Sequence, residues 1–327
     1  MSVEAKWRKA LRDLPSTPAK IPAFFFAHGS PMLAFPEGEY SDPTMSHQGP
    51  GGSLATFLRE FGPMLLEKYK PRGIVVFSAH WETLGERLVT DYGENQPLLM
   101  DYYGFPQQLY DLKFISRGDA ALSKRVVDLF KDSGYLARTT SKLEPRGEDG
   151  RGFQGPGLDH GVFVPFRLMF GEEFTSIPIV QASIDASLSP EKNWALGKAV
   201  SQLREEGILM LSGGLTAHNL RDRRSFSPAT ASEAHKAFDS AIHSAIKVVD
   251  VGIFSRPGVQ GDPFTNLEQA EQRKKALLDL TKHSGFRASH PREDHFVPLY
   301  VAAGAGEDGG VQVICDLFGI PTFAFGM

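Results

Sequence analysis

The stretch Phe24-Phe25-Phe26-Ala27-His28-Gly29-Ser30-Pro31 decides the fold. Three consecutive phenylalanines lack the alternation of a half-exposed strand, so they predict a strand covered on both faces, as in a parallel or mixed sheet flanked by helices. Gly29 and Pro31 end that strand directly after the histidine. Because ligands of open α/β sheets bind outside the carboxyl ends of the strands, His28 is a candidate for metal binding or proton transfer. The alternative is a histidine satisfied by hydrogen bonds within a turn.

The same construction occurs twice more in the chain. Gly73-Ile74-Val75-Val76-Phe77-Ser78-Ala79-His80-Trp81 is a second apolar run that ends at a histidine. A third run, Gly207-Ile208-Leu209-Met210-Leu211, leads to His218 through a segment that contains the pair Gly213-Gly214. Three histidines at the ends of predicted strands indicate one common site.

The segment between the first two histidines predicts a parallel pair of strands. Apolar side chains on one stripe over residues 54–70 predict a helix, and Pro71-Arg72-Gly73 leads directly into the second strand. Strand, helix and strand in this order form a crossover between parallel strands. We therefore expect an α/β fold with one catalytic domain over residues 21–327, a central, mostly parallel or mixed sheet flanked by helices, and a site at the carboxyl ends of the strands. Residues 1–20 predict a peripheral N-terminal helix and linker.

Further elements follow from apolar periodicity and from capping residues. Helices are predicted at residues 119–133, 189–206, 230–249 and 266–283. Strands are predicted at residues 87–92, 176–184, 311–315 and 322–325. The glycine-rich segments 34–53 and 144–157 predict a loop beside His28 and an exposed loop, respectively.

Composition narrows the class of function. Of the 327 residues, 41% are hydrophobic and 23% are charged, and the formal net charge is −4, as in an ordinary soluble protein. Such a chain lacks the basic field expected for nucleic acid or an anionic membrane as the main partner. The single cysteine, Cys315, excludes an internal disulfide and suits a reducing compartment. Because we find neither a secretory signal nor an apolar run of roughly 20 residues, we expect a cytoplasmic protein; the oligomeric state stays open.

Five histidines stand at strand ends or element starts: His28, His80, His160, His218 and His295. Their spacing matches no compact metal motif, so their placement carries the argument. Imidazoles from separate strand ends can converge on one ion, and a catalytic metal needs about three protein ligands with open positions for substrate.

Six motifs surround these histidines and the aromatic loop between them: His28-Gly29-Ser30-Pro31, Ser78-Ala79-His80-Trp81, Gly104-Phe105-Pro106 with Leu109-Tyr110, Leu158-Asp159-His160-Gly161, Ala217-His218-Asn219-Leu220-Arg221 and Asp294-His295-Phe296-Val297-Pro298-Leu299. In this order they resemble the motifs of the LigB-type aromatic ring-opening (extradiol) dioxygenases, and most of all the branch of 4,5-DOPA extradiol dioxygenase-like proteins. The resemblance runs from about residue 22 to the C-terminus.

The resemblance implies a role for each histidine. His28, His80 and His295 correspond to the metal ligands, and His218 and His160 to the catalytic pair, His218 as acid or base and His160 in the substrate pocket. His218 is also a candidate for metal binding. The substrate-binding candidates are Ser30, Tyr103, Phe105 and Asn219.

The implied reaction is cleavage of a catechol-type aromatic diol by dioxygen at a non-haem Fe(II) centre, giving a ring-opened muconic semialdehyde. Metal coordination would lower the pKa of the diol, and His218 or His160 would remove its proton. Better-known relatives use two histidines and a glutamate, the facial arrangement that suits Fe(II). Here the third ligand corresponds to His295, with Glu293 and Asp294 open as alternatives. An all-nitrogen site also binds zinc readily, so Zn(II) is a second candidate.

Two other functions stay open at this point. A zinc-dependent hydrolase would activate water on the metal with His218 or Glu293 as base. A non-catalytic metal-binding protein could keep the same fold without turnover. Arg221, Arg223 and Arg224 could pair with a substrate carboxylate or form a solvated basic turn.

Overall fold

The computed structural model describes residues 2–38, 43–146, 152–247 and 263–327. In these ranges the strands are β1 Ala23–Ala27, β2 Gly73–Thr83, β3 Glu86–Thr90, β4 Leu98–Leu99, β5 Ile115–Ser116, β6 Leu136–Thr140, β7 Leu158–Asp159, β8 Glu173–Phe174, β9 Ile179–Asp185, β10 Ile208–Gly214, β11 Val311–Cys315 and β12 Thr322–Phe325. The α-helices are α1 Val3–Asp13, α2 Ser53–Tyr69, α3 Ala120–Asp132, α4 His160–Phe170, α5 Pro190–Ala199, α6 Glu233–Lys247, α7 Pro263–Leu278, α8 Phe286–Ser289 and α9 Pro298–Ala305.

The central sheet has eight strands in the order β11-β12-β1-β10-β2-β9-β3-β6. β1, β10, β2 and β9 run parallel to one another, and β3 pairs parallel with β6. β12 pairs antiparallel with β1 and with β11, and β3 pairs antiparallel with β9. The prediction of an α/β domain with a mostly parallel or mixed sheet is therefore confirmed.

The three phenylalanines of β1 face both sides of this sheet. Phe24 packs edge-on against Phe61 of α2, with ring centroids 5.5 Å apart, and Phe26 lies 6.2 Å from Phe166 of α4. Phe25 points to the opposite face, where it stacks on Phe323 at 6.0 Å. Both faces are thus covered by apolar side chains, which is why this strand shows no polar alternation.

Most predicted elements occur within a few residues of their expected ends, with several differences. The end of the helix predicted at 230–249 lies outside the described residues. The helix predicted at 189–206 ends at Ala199 and continues as a 3-10 helix, Ser201–Arg204. α4 was not predicted, because its residues are apolar on every side and Pro165 lies within it. Of the exposed loop predicted at 144–157, residues 147–151 lie outside the described ranges, and the side chain of Arg146 is fully buried.

The N-terminal helix α1 packs against the domain through Trp7, which is buried. Its ring lies 5.7 Å from that of Phe57, and its indole nitrogen donates to Glu60, both on α2. The domain boundary at residue 20 stays a prediction. Within the described ranges, none of the helices combines the length and the apolar character needed to cross a membrane.

Candidate metal centre

Three of the predicted ligands meet at the carboxyl edge of the parallel strands. His28 directly follows β1, and His80 lies near the C-terminal end of β2. β10 lies between these two strands. His295 comes from the segment before α9 and completes the group. One ring nitrogen from each histidine lies within 4.8 Å of the others, and all three residues are 1% exposed.

A glycine in β10 lets His295 approach the sheet. The carbonyl oxygen of His295 accepts a hydrogen bond from the backbone of Leu215 at 2.8 Å. A Cβ atom at Gly214 would lie 2.5 Å from that same oxygen, which is closer than real Cβ contacts. Gly214, in the glycine pair of the third histidine run, therefore serves close backbone packing.

The Nδ1 atom of each of the three rings faces an oxygen of the protein. His28 Nδ1 lies 2.7 Å from the carbonyl oxygen of Gly29. His80 Nδ1 lies 3.1 Å from Asp101 Oδ2, and His295 Nδ1 lies 3.1 Å from Asp294 Oδ2. Metal-binding histidines commonly hold their second ring nitrogen by a hydrogen bond, which directs the other nitrogen to the ion. The contact between His295 Nδ1 and Asp294 has the distance of an ion pair but not the geometry of a hydrogen bond.

The donor set fits a metal ion. Because a carbonyl oxygen can only accept, His28 carries its proton on Nδ1 and has its lone pair on Nε2. That Nε2 atom is buried and has no hydrogen-bond partner in the described part of the chain. Burial, followed by the nearby positive charge that His295, His160 and His218 would carry, holds the pKa of His28 well below its ordinary value. Neutral, converging imidazoles are the form of histidine that binds metal.

His160 lies beside this group as the first residue of α4. Its ring is 4.1 Å from that of His80, and its Nδ1 lies 2.7 Å from Asp101 Oδ1. The same carboxyl group thus contacts both His80 and His160. His160 is 5% exposed.

His218 lies on the other side of the group and is half-buried. Its ring stacks on that of His295 with centroids 3.4 Å apart and an angle of 14° between the ring planes. Since a nitrogen lone pair lies in its ring plane, two nearly parallel stacked rings cannot both direct lone pairs to one ion. We therefore expect that His218 is not a ligand of the ion that His295 would bind, although one nitrogen of each ring and an oxygen of Asp294 lie within 4.8 Å of one another.

The two acidic neighbours of His295 face other charges. Glu293 forms an ion pair with Arg287. Asp294 lies against His295 and, at 3.4 Å, against Arg292. Although burial alone would raise the pKa of the Asp294 carboxyl, His295, His218 and Arg292 hold it well below its usual range. Asp294 therefore supports a histidine ligand in this arrangement.

A buried network that sequence reasoning missed lies behind His80. Asp159 accepts hydrogen bonds from Ser78 at 2.7 Å, from Arg146 at 2.8 Å and from Gln181 at 2.5 Å. Arg146 also donates to the carbonyl oxygen of His80 at 3.0 Å. Despite burial, these donors lower the pKa of Asp159, whereas burial and the charge of Asp159 raise the pKa of Asp101 to about 8. Asp159 lies within the motif Leu158-Asp159-His160-Gly161 and Asp101 lies three residues before Gly104, and these positions were the available signal.

The substrate-binding candidates lie in different surroundings. Ser30 is half-buried and precedes the 3-10 helix Pro31–Ala34. Phe105 packs against Tyr102 at 5.4 Å, whereas the side chain of Tyr103 is 81% exposed. The carboxamide of Asn219 donates to Ala288 O at 2.7 Å and accepts from the backbone of Arg221. Their roles stay predictions.

Fold and site together define a class: an α/β protein with a candidate three-histidine metal centre at the carboxyl edge of its sheet. Residues 22–323 match the family model described as the catalytic LigB subunit of aromatic ring-opening dioxygenase. The chain belongs to this LigB family.

Several curated proteins are similar over nearly the whole chain. A 4,5-DOPA dioxygenase extradiol-like protein of Schizosaccharomyces pombe is 37% identical, covering 98% of this chain and 97% of its own. The 4,5-DOPA dioxygenase extradiol of Beta vulgaris is 30% identical, covering 89% of both chains. A crystal structure of an uncharacterized Escherichia coli K12 protein matches the fold with a TM-score of 0.59 at 21% identity, covering 94% of this chain and 100% of that one.

Proposed function

We propose that this protein is an extradiol dioxygenase that opens the ring of a catechol-type diol with dioxygen at a non-haem metal. The observation that carries the proposal is the buried group of His28, His80 and His295, whose ring nitrogens lie within 4.8 Å of one another. The family membership and the names of the similar proteins, which include 4,5-DOPA dioxygenases, support the same reaction.

In this proposal the metal would be held by His28, His80 and His295. A bound Fe(II) ion would mediate electron transfer from the diol to dioxygen, which the organic substrate cannot carry out by itself. Three nitrogen donors also suit Zn(II), so a purified sample could carry zinc. We assign Fe(II) to activity because ring opening by dioxygen is redox chemistry and zinc has no accessible redox state.

The protein's own part is to hold the rings and move protons. His160 has its Nδ1 against Asp101, so its Nε2 is the nitrogen that would accept a proton from a substrate hydroxyl. His218, half-buried and stacked on His295, is placed to supply a proton during ring opening and to exchange it with solvent. Burial of the ligands keeps water from the reacting atoms.

The substrate partner is a small aromatic diol, with Ser30, Tyr103, Phe105 and Asn219 as the residues proposed to contact it. Half-burial of Ser30 and Phe105 favours these two for direct contact. Cys315, the single cysteine of the chain, is buried. Because a chain with one cysteine suits a reducing compartment, we propose the cytoplasm.

The test is oxygen uptake by protein purified without oxygen and reconstituted separately with Fe(II) and Zn(II). A catechol panel that includes DOPA should give iron-dependent uptake and a yellow ring-opened product. His28→Ala should abolish both, while the control His243→Gln, whose ring pairs with Asp316 away from the site, should not. Tight metal binding without uptake for any catechol would refute the dioxygenase assignment and favour a zinc hydrolase or a non-catalytic metal protein.

A further inference from the structure

The buried carboxyl group of Asp101 contacts two histidines with different proposed roles, His80 and His160. Asp101 is 0% exposed and lies between β4 and the 3-10 helix Gln107–Leu109. Its Oδ2 lies 3.1 Å from His80 Nδ1, and its Oδ1 lies 2.7 Å from His160 Nδ1. Oδ1 also accepts the backbone N–H of His160 at 2.9 Å. Each oxygen of the carboxyl group is thus directed to a different ring.

We propose that Asp101 is the positioning residue that sets the tautomers of His80 and His160 together. With a divalent cation bound to His80, the positive charge favours the ionised form of Asp101. An ionised carboxyl group can only accept, so both rings then carry their proton on Nδ1 and have the lone pair on Nε2. His80 then offers that lone pair to the metal, and His160 offers its own to a substrate proton. This inference rests on the proposed metal site and adds a residue that couples the metal ligand to the base.

The fold holds Asp101 in register with His160. β4 pairs parallel with β7, with Leu99 opposite Asp159, so Asp101 and His160 follow the two strands side by side. The backbone N–H of Asp101 donates to Leu99 O at 2.9 Å and closes a tight turn there. This short ladder fixes the carboxyl group relative to α4, which is the requirement for a positioning role.

The two carboxyl oxygens of Asp101 are not equivalent. The substitution Asp101→Asn should therefore affect His80 and His160 differently. Oδ1 receives two donors from His160, its ring and its backbone, so the oxygen of an asparagine should take that place. The amide NH₂ would then face His80 Nδ1, which must accept. His80 would be forced into the Nε2–H tautomer and would lose the lone pair that binds the metal, whereas His160 would keep its tautomer.

The experiment compares Asp101→Asn with Asp101→Ala. Zn(II) or Co(II) affinity is measured by calorimetric titration, and ring tautomers by ¹⁵N spectra of histidine-labelled metal-free and zinc-loaded protein. We expect Asp101→Asn to lower metal affinity by about 10- to 100-fold, the range typical of residues that orient a ligand. Asp101→Ala removes the acceptor without introducing an amide donor, so it should lower the affinity less. Thermal unfolding of the metal-free variants establishes that each is folded.

Asp159→Asn is the matched control, because it removes a neighbouring buried carboxylate that bonds to Ser78, Arg146 and Gln181. It should leave the tautomer of His80 unchanged. The proposal is overturned if Asp101→Asn keeps wild-type tautomers and affinity, or if Asp101→Ala binds metal more weakly than Asp101→Asn, the order expected from packing alone. Neither readout needs turnover, so absence of ring cleavage would refute the proposed function without deciding this inference.

Discussion

Beside His28, the site contains two histidine pairs that have the same composition but differ in their surroundings. In the buried pair, His80 and His160 are joined by Asp101 and both are at most 5% exposed. In the open pair, His295 stacks on half-buried His218, and Asp294 lies against His295. Each pair combines a candidate metal ligand, a candidate acid or base and an aspartate. One pair is enclosed on every side, and the other borders solvent.

The two aspartates differ in charge balance. Burial and the charge of Asp159 raise the pKa of Asp101 to about 8, so its ionised form depends on positive charge nearby. The opposite holds for Asp294, where burial is outweighed by His295, His218 and Arg292, and its pKa is held low. The buried pair is therefore suited to fixed geometry and the open pair to exchange of protons with solvent.

The largest expected effect tests whether both pairs contribute a metal ligand. His80→Ala and His295→Ala should each lower Zn(II) affinity by more than the roughly 10- to 100-fold typical of outer-shell residues, because each removes a donor atom. Calorimetric titration measures the loss. His243→Gln serves as the control, and wild-type affinity in either alanine variant would remove that pair from the metal centre.

The next effect separates the acid or base of each pair from the ligands. His218→Ala should keep the metal, since its ring cannot share an ion with His295, and should lose about 10²- to 10⁴-fold in kcat. His160→Ala should fall in the same range. Metal content and turnover of iron-loaded protein are measured together. Full activity in His218→Ala contradicts its role, and loss of metal contradicts the stacking argument.

Much of the fold could be predicted from the chain because its signals are local. The three phenylalanines of β1 predicted a doubly covered strand, which is confirmed. The helix between β1 and β2 predicted a parallel pair; the two strands are parallel, but β10 lies between them and pairs with both. α4 was not predicted because it is buried on all sides. Such a helix has no polar face, so its sequence lacks the alternation of apolar and polar residues at helical spacing. β6 was missed as a short edge strand with a mixed burial pattern.

The histidines of the candidate site could be predicted, but their supports could not. Strand ends are visible in the sequence, and the structure brings His28, His80 and His295 together. Asp101 and Arg146 reach these histidines only through the packing of loops, with 21 and 66 positions separating them from His80. Such contacts depend on tertiary structure and leave no periodic signal in the chain. The roles of all these residues stay predictions.

Low pH should decrease the stability of the protein through a buried histidine, His290, which lies five residues before His295 of the open pair. His290 is fully buried between Phe286 and Phe296, and burial lowers its pKa to about 4. An unfolded histidine binds its proton near pH 6.5, so between roughly pH 6.5 and 4 the unfolded state holds more protons. The free energy of unfolding should then decrease by up to about 3 kcal/mol as the pH is lowered from about 6.5 to 4.

Urea unfolding of metal-free protein at several pH values measures this loss, and His290→Leu is the comparison. Most groups titrate equally in both proteins, so the difference between the two curves isolates His290. We expect the curve of His290→Leu to be flatter below pH 6.5. Parallel curves would show that His290 does not contribute to the acid sensitivity of this side.

The smallest expected effect compares two glycines, Gly214 beside the open pair and Gly161 beside the buried pair. A Cβ at Gly214 would lie 2.5 Å from His295 O, a backbone atom that can move only with its whole segment. A Cβ at Gly161 would lie 2.7 Å from Ser78 Oγ and 2.8 Å from His80 Cδ2, which are side-chain atoms. Gly214→Ala should therefore cost about 1–3 kcal/mol of stability, the range for overpacking.

Gly161→Ala should cost less stability, because Gly161 is the second residue of α4 and alanine favours a helix by about 1 kcal/mol over glycine. Its effect should instead appear in metal affinity, since the displaced atoms belong to His80 and to Ser78, which bonds to Asp159. Unfolding and titration of both variants give the two quantities. If Gly161→Ala proves the more destabilising, the side chains around the buried pair yield less readily than the backbone at the open pair, and the argument from the backbone contact at Gly214 is wrong.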